Sequence, residues 1–281
     1  VMRTLSAVLA LMALTGCSSA SAPPPSVMLE KPSAIVSLNP CLDAMLLETA
    51  DPAQIAALSH YSRDAASSSI PQSVARRFDV TGGTAEEVVA LSPDLVVAGS
   101  FIAPATQAAL ERLGMRVETF GIARTVGRSV EQVRRVGEVT GNASAAERLA
   151  GRIERAVEDA APPAGAKKPS AVLWQPGGIV PGEEALVSEL LTIAGFENHA
   201  AARGLGQADY LSLEEVLADP PDLLLIAGEE TGQEHPVLDK LPNTRRARFD
   251  PSLLYCGGPT IPAALERLKT IRGELLAERG A

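Results

Sequence analysis

Apolar residues in this chain fall in short, β-branched runs that alternate with longer segments of helical period. "AIVSLNP" from Ala34, "QIAALSHYS" from Gln54, "LVVAG" from Leu95 and "RVETF" from Arg116 are brief and bounded by turn-forming or polar residues. Runs of that length predict buried strands. Between them, residues 42–47 and 107–113 read as helices, the second stopped by Gly114. After residue 162 the pattern restarts with "SAVLWQPGG", a helix over 183–194, the strand "LLLIAG" and a last helix over 262–278. Strands that alternate with helices in this way predict a parallel sheet with crossover connections.

One cassette occurs twice. "TAEEVVALSPDLVVAG" from Thr84 returns as "LSLEEVLADPPDLLLIAG" from Leu211, at a spacing far too long for a solenoid repeat. Thr84 is a helix N-cap with Glu87 three residues on, which predicts a capping box, and Pro93 ends the helix before the strand. Midway lies "ASAAERLAGRIERAVEDA", residues 143–160, good helix formers with no internal proline. At 1.5 Å per residue it would extend about 27 Å, the span of a small domain. The fold expected is therefore α/β: two Rossmann-like lobes joined by one long rigid helix, with a ligand cleft between them. The N-terminal lobe is expected over 33–141, the linking helix over 142–162 and the C-terminal lobe over 163–281.

The first residues read differently. Arg3 precedes an apolar run from Leu5 to Leu14, too short to span a bilayer but suited to a signal-peptide core. It ends in Leu14-Thr15-Gly16-Cys17, which resembles a bacterial lipobox, so residues 1–16 are expected to be cleaved and Cys17 lipidated. Residues 17–32, beginning "CSSASAPPPS", have too little apolar bulk to fold and read as a tether. A periplasmic protein anchored to a membrane is the expected outcome.

Chemistry is narrowed by what the composition lacks. The formal charge of −9 argues against a nucleic-acid partner, and 3% aromatic residues limit how a bulky ring could be gripped. No GxSxG, HExxH or P-loop occurs, three histidines give no evident triad, and no CxxC or zinc spacing is present. Neither an enzyme, a cofactor nor a bound metal is expected. An envelope lipoprotein acting as an enzyme or a protein-binding scaffold is the alternative.

Order and spacing resemble one family. "AIVSLNP", the first cassette, the linking helix, "ELLTIAGFEN" from Glu189 and the second cassette are together similar to the periplasmic substrate-binding proteins of iron-chelate and vitamin B12 ABC importers. The resemblance runs from about Ala34 to the C-terminus. It implies a monomer that binds a metal chelate or corrinoid between its lobes, closes only slightly because its linker is helical, and then docks on permease subunits. It also implies docking through one surface acid per lobe, here Glu86 and Glu214. Each precedes a strand whose far end forms the cleft, so both are expected away from the solute. Each sits in the first turn of a helix, where a carboxylate also favours the macrodipole.

In open parallel sheets, ligands meet the loops at the carboxyl ends of strands. Those loops supply Asn39, Cys41, His60, Tyr61, Arg63 and Phe101 from the first lobe, and Trp174, Gln175, Tyr255 and Cys256 from the second. Trp174 reads equally as a core residue or a stacking wall. His60, Tyr61 and Arg63 offer ring stacking, metal ligation and anion pairing in one loop. Cys41 and Cys256 fall on cleft loops of opposite lobes, where a disulfide would lock the cleft. Two reduced thiols are expected in preference to a soft-metal contact.

Overall fold

A computed structural model describes residues 31–280 apart from 230–232 and 234. The signal peptide, Cys17 and nearly all of the tether lie outside the described residues. Pro32 already belongs to the folded lobe: it is buried, and its carbonyl accepts a hydrogen bond from Gln54 Nε2 at 2.6 Å.

The first lobe runs β1 (Ile35–Ser37), α1 (Pro40–Thr49), β2 (Ile55–Ser59), α2 (Gln72–Ala75), β3 (Val80–Thr81), α3 (Ala85–Ala90), β4 (Leu95–Gly99), α4 (Pro104–Arg112), β5 (Val117–Phe120) and α5 (Val126–Val139). Its five strands are all parallel in the order β3-β2-β1-β4-β5. Every residue of β1, and Leu95 through Ala98 of β4, is buried, as expected of central parallel strands covered by helices on both faces. The linking helix is α6 (Ala143–Ala160).

The second lobe follows as β6 (Ser170–Trp174), β7 (Ile179–Val180), α7 (Leu186–Ile193), β8 (Glu197–Asn198), α8 (His199–Ala202), β9 (Asp209–Tyr210), α9 (Leu213–Ala218), β10 (Leu223–Ile226), β11 (Arg245–Arg248) and α10 (Ile261–Gly280). Four strands form a parallel sheet, β11-β10-β6-β8, while β7 and β9 make a separate antiparallel pair. The fold is thus two α/β lobes joined by a long helix, as the hydrophobic pattern implied.

The lobes share more than that helix. α6 buries Ala146, Leu149, Ala150 and Ile153, one stripe at helical spacing, into a single apolar cluster. That cluster continues from Ile35 and Leu95 in one sheet to Leu173 and Leu225 in the other. α5 lies so close to α6 that a Cβ on Gly137 would fall 2.3 Å from the methyl of Ala146. α7 also reaches across: the Glu189 carboxylate accepts from the backbone N–H of Val126, the first residue of α5, at 2.6 Å.

The two cassettes do the same structural work. Asp94 Oδ2 accepts from Ser33 N, Ser33 Oγ and Ala34 N, and so fixes the entry to β1. Asp222 Oδ2 accepts from Ser170 N and Ser170 Oγ, and so fixes the first residue of β6. Each carboxylate thereby ties its own strand to the start of the central neighbour. The capping box is complete only in the second copy, between Ser212 and Glu215. In the first, Thr84 Oγ1 accepts from Glu87 N, but the Glu87 carboxylate turns back to Thr81 Oγ1 and Gly82 N. The donors of that short β3–α3 turn outcompete the single N-cap amide.

Candidate functional site

Parallel strands carry their loops out at one edge, and here the edges of the two sheets face each other. The loops after β1, β4, β5 and β6, together with residues 181, 185–187, 207–208 and 254–257, line a cleft of about 370 Å³. That volume lies within the range usual for small-molecule sites. Buried Leu42 and Met45 of α1 form its floor. Phe101 and Ile122, both exposed, form one wall, and Leu186, Leu254 and Tyr255 the other.

Asn39 sits where β1 gives way to α1. Its Oδ1 caps the helix, accepting from Cys41 N and Leu42 N at 2.9 and 3.2 Å. Its amide nitrogen packs against Gly99, where a Cβ would stand only 2.8 Å away. A side chain at position 99 would press on that amide, so Gly99 leaves it room.

Cys41 and Cys256 are joined by a disulfide, with Cα atoms 5.1 Å apart. This corrects the expectation of two reduced thiols, and removes the soft-metal reading, since both sulfurs are used. The loop carrying Cys256 is drawn down onto the first lobe because Gly258 N–H donates to Ser129 Oγ on α5 at 2.6 Å. That brings the two Cα atoms within ordinary bridging distance. The objection that a bridge would lock the cleft fails because the shared core already holds the lobes together. The bond lies in the floor, not across the mouth. Among the described residues no group of His, Cys, Asp and Glu could hold a metal ion.

Of the residues expected in the site, Asn39, Cys41, Phe101, Gln175, Tyr255 and Cys256 line the cleft. Trp174 does not. It is 4% exposed, packs with Val172 and Leu224, and donates from Nε1 to Leu211 O at 3.0 Å, so its position is that of a core residue. His60, Tyr61 and Arg63 form a helical turn after β2, outside the cleft lining. The His60 ring lies 4.0 Å from that of Tyr61, and Arg63 donates to Phe78 O at 2.5 Å. Sequence reasoning misses Gln132 and Gln207, which line the cleft from the middle of α5 and from the loop before β9. Phe120 is visible as the last residue of "RVETF", but nothing in the sequence singles out either glutamine.

Among the described residues, no Asp, Glu, Lys, Arg or His lines the cleft. The polar groups are the amides of Asn39, Gln132, Gln175 and Gln207, the Ser100 hydroxyl and the Tyr255 phenol. Burial pushes the Tyr255 phenol above its ordinary value, helped by the negative charges of Asp250 and Asp64, so it stays protonated at neutral pH. At the rim, Arg124 of the first lobe pairs with Glu184 of the second. Glu184 holds a left-handed backbone (φ 60°), an uncommon conformation for a residue with a side chain.

Glu86 and Glu214 are exposed, and neither lines the cleft. Neither side chain has a hydrogen bond or ion pair to any described residue. Their placement differs from expectation in one respect. α3 begins only a few residues after the carboxyl end of β3, and α9 directly follows β9, whose neighbour Leu211 accepts from Trp174 at the carboxyl end of β6. Both helix starts therefore stand on the cleft-bearing edge of the molecule. The chain reverses direction at each strand-to-helix turn, so a helix start lies beside the strand end it follows.

Residues 35–248 match the periplasmic binding protein family. The chain belongs to that family. A cobalamin-binding protein of Halobacterium salinarum is 26% identical over 204 residues, which cover 69% of this chain and 54% of that protein. The chain thus spans about half the length of the curated relatives it matches. Among solved structures, the periplasmic heme-binding protein HutB of Vibrio cholerae superposes with a TM-score of 0.69 at 17% identity, covering 85% of this chain and 98% of that one. The periplasmic vitamin B12-binding protein BtuF of the same organism superposes with a TM-score of 0.65, also at 17% identity, covering 87% and 98%. At such identities these structures speak to the fold alone.

Proposed function

We propose that this periplasmic binding protein captures a corrinoid in its interlobe cleft and delivers it to the permease of an ABC importer. The observation that carries the choice of solute is the lack of ionisable side chains, Tyr255 apart, among the described residues of the cleft. A ferric siderophore of high negative charge, or the carboxylates of haem, would enter a low-dielectric cleft with no cation to pair them, which is costly. A corrinoid presents a periphery of neutral amides, which Asn39, Gln132, Gln175 and Gln207 can meet as donors and acceptors. The cobalamin-binding relative agrees with this reading.

Haem is the second reading, favoured by one group. Tyr255 places a phenol in the cleft, and tyrosine is an established axial ligand of haem iron. Titration with cyanocobalamin and with haemin, each followed by absorption and by native mass spectrometry, separates the two. Tight one-to-one binding of cyanocobalamin with weak haemin binding is expected. Tight haemin binding that Tyr255→Phe abolishes would reverse the assignment.

Docking on the permease is assigned to Glu86 and Glu214, one from each copy of the cassette. Both are exposed and stand on the cleft-bearing edge, so a permease engaging them would sit over the mouth. Reversing both charges, Glu86→Lys with Glu214→Lys, is expected to impair uptake by reconstituted vesicles at least tenfold, with solute affinity of the free receptor unchanged. Because exposed charges act through steering and complementarity, wild-type uptake should also weaken as salt is added. Normal uptake by the double variant would reduce the cassette to its structural role. The anchor is assigned to lipid on Cys17; a Cys17→Ser protein that fractionates with membranes as the wild type does would remove it.

A further inference from the structure

The Cys41–Cys256 bond spans the two lobes, and its ends are held unequally. Cys41 is the second residue of α1, in a turn capped by Asn39. Cys256 lies in the loop Leu254–Gly257, whose continuation is pinned by Gly258 N–H to Ser129 and by Thr260 Oγ1, which donates to Cys256 O at 2.6 Å. Gly258 has a φ of +65° and packs beneath Met45 and Val133. Beneath the bond, then, the lobes are already locked by packing. Above it, Leu254 and Tyr255 stand as cleft wall on a backbone that the disulfide ties to the first lobe.

We propose that this disulfide is a positioning element for the solute. It fixes the separation between the Asn39 side of the floor and the Tyr255 wall, and its reduction loosens solute holding without parting the lobes. The proposal rests on the cleft being the solute site. Reduction by a dithiol uses two electrons and two protons: the S–S bond breaks, each sulfur becomes a thiol, and the reductant closes into its own disulfide. Half-buried Cys41 lines the cleft, so a reductant reaches the bond through the space the solute would fill.

Coupling of this kind is reciprocal. If the oxidised receptor binds solute tenfold more tightly, saturating solute must make the disulfide's reduction potential about 30 mV more negative. A staple that acts only on the stability of the fold would move neither quantity.

The experiment uses the purified oxidised protein, cyanocobalamin as the probe and dithiothreitol redox buffers. The reduced form is expected to bind cyanocobalamin at least tenfold more weakly, and cyanocobalamin is expected to lower the midpoint potential in proportion. In solute-free protein, reduction should speed hydrogen exchange at residues 254–257 and in the first turn of α1 within minutes, while β1, β4, β6 and β10 stay protected. Equal affinities with no shift in potential would overturn the proposal. So would rapid exchange throughout both sheets, which would make the bond a support of the whole fold. Failure of the oxidised protein to bind cyanocobalamin would sink the corrinoid reading instead. The exchange pattern would still decide the role of the disulfide, with unchanged exchange at 254–257 counting against it.

Discussion

Serine at both Cys41 and Cys256 is expected to lower the melting temperature by roughly 10 °C. The two residues are separated by 215 positions, so the bond closes most of the folded chain into one loop. Loop-closure entropy then assigns it about 5 kcal/mol through restriction of the unfolded chain. Serine in place of each cysteine keeps nearly the same volume and leaves the neighbouring packing of Met45, Val133 and Gly258 in place. The variant is therefore expected to fold, because the apolar cluster that joins the lobes through α6 is untouched. Thermal unfolding followed by circular dichroism checks this. Each single serine variant, the double variant and the reduced wild type should melt together, well below the oxidised wild type. Coincident melting of the double variant and the oxidised protein would mean that the bond does not constrain the unfolded chain.

That bond also marks where the sequence stops being informative. Strands such as "AIVSL" and "LVVAG" announce themselves because a parallel strand buried on both faces must be a continuous apolar run. The capped helices of the two cassettes follow from residues only three positions apart. Strand order is different, since it depends on which crossover goes which way. β1 turns out central with β2 and β4 on either side, and the cleft takes its lining from the β1, β4 and β5 side, which leaves His60, Tyr61 and Arg63 after β2 outside it although their loop ends a strand as predicted. Trp174 and Gln175 show the same limit on a finer scale. Both stand at the end of one legible strand, but adjacent residues project to opposite faces, and only the assembled sheet decides which faces the cleft. Asp94 and Asp222 are legible as part of a repeated motif, while their work of tying neighbouring strands needs the partners Ser33 and Ser170, more than fifty residues away. Pairing Cys41 with Cys256 needs the whole tertiary fold.

The substitution Asp43→Asn should flatten the fall in stability between about pH 4 and pH 7, and raise stability above pH 7. Asp43 lies fully buried on α1, two residues beyond the disulfide. Its Oδ2 accepts from Ser59 N and Ser62 Oγ at 2.9 and 2.6 Å, tethering the turn after β2, while Oδ1 has no hydrogen-bond partner among the described residues. Burial raises its pKa from 3.8 to about 7, and the nearby Ser37 hydroxyl together with the hydrogen bonds from Ser62 and Ser59 offsets only part of that cost. A folded-state pKa above the unfolded one means that the unfolded chain gives up this proton first as pH rises. The group therefore costs nothing below about pH 4, progressively destabilises the fold up to about pH 7, and holds that penalty above it. A shift of this size corresponds to at most about 4 kcal/mol. The asparagine side chain would keep an acceptor for Ser59 and Ser62, place an amide donor beside the Ser37 hydroxyl, and carry no charge to bury. The carboxylates of Asp94, Glu87 and Glu215 work in the opposite sense. Hydrogen bonds hold their pKa values low, so they stabilise the fold above their unfolded pKa, and that contribution is lost as pH falls. Their effect is common to wild type and variant, so the difference between the two unfolding curves across pH isolates Asp43. Denaturant unfolding at about pH 4, 5.5, 7 and 8 supplies those curves. Parallel curves at every pH would show that Asp43 titrates alike in the folded and unfolded protein, its burial offset by a compensating partner.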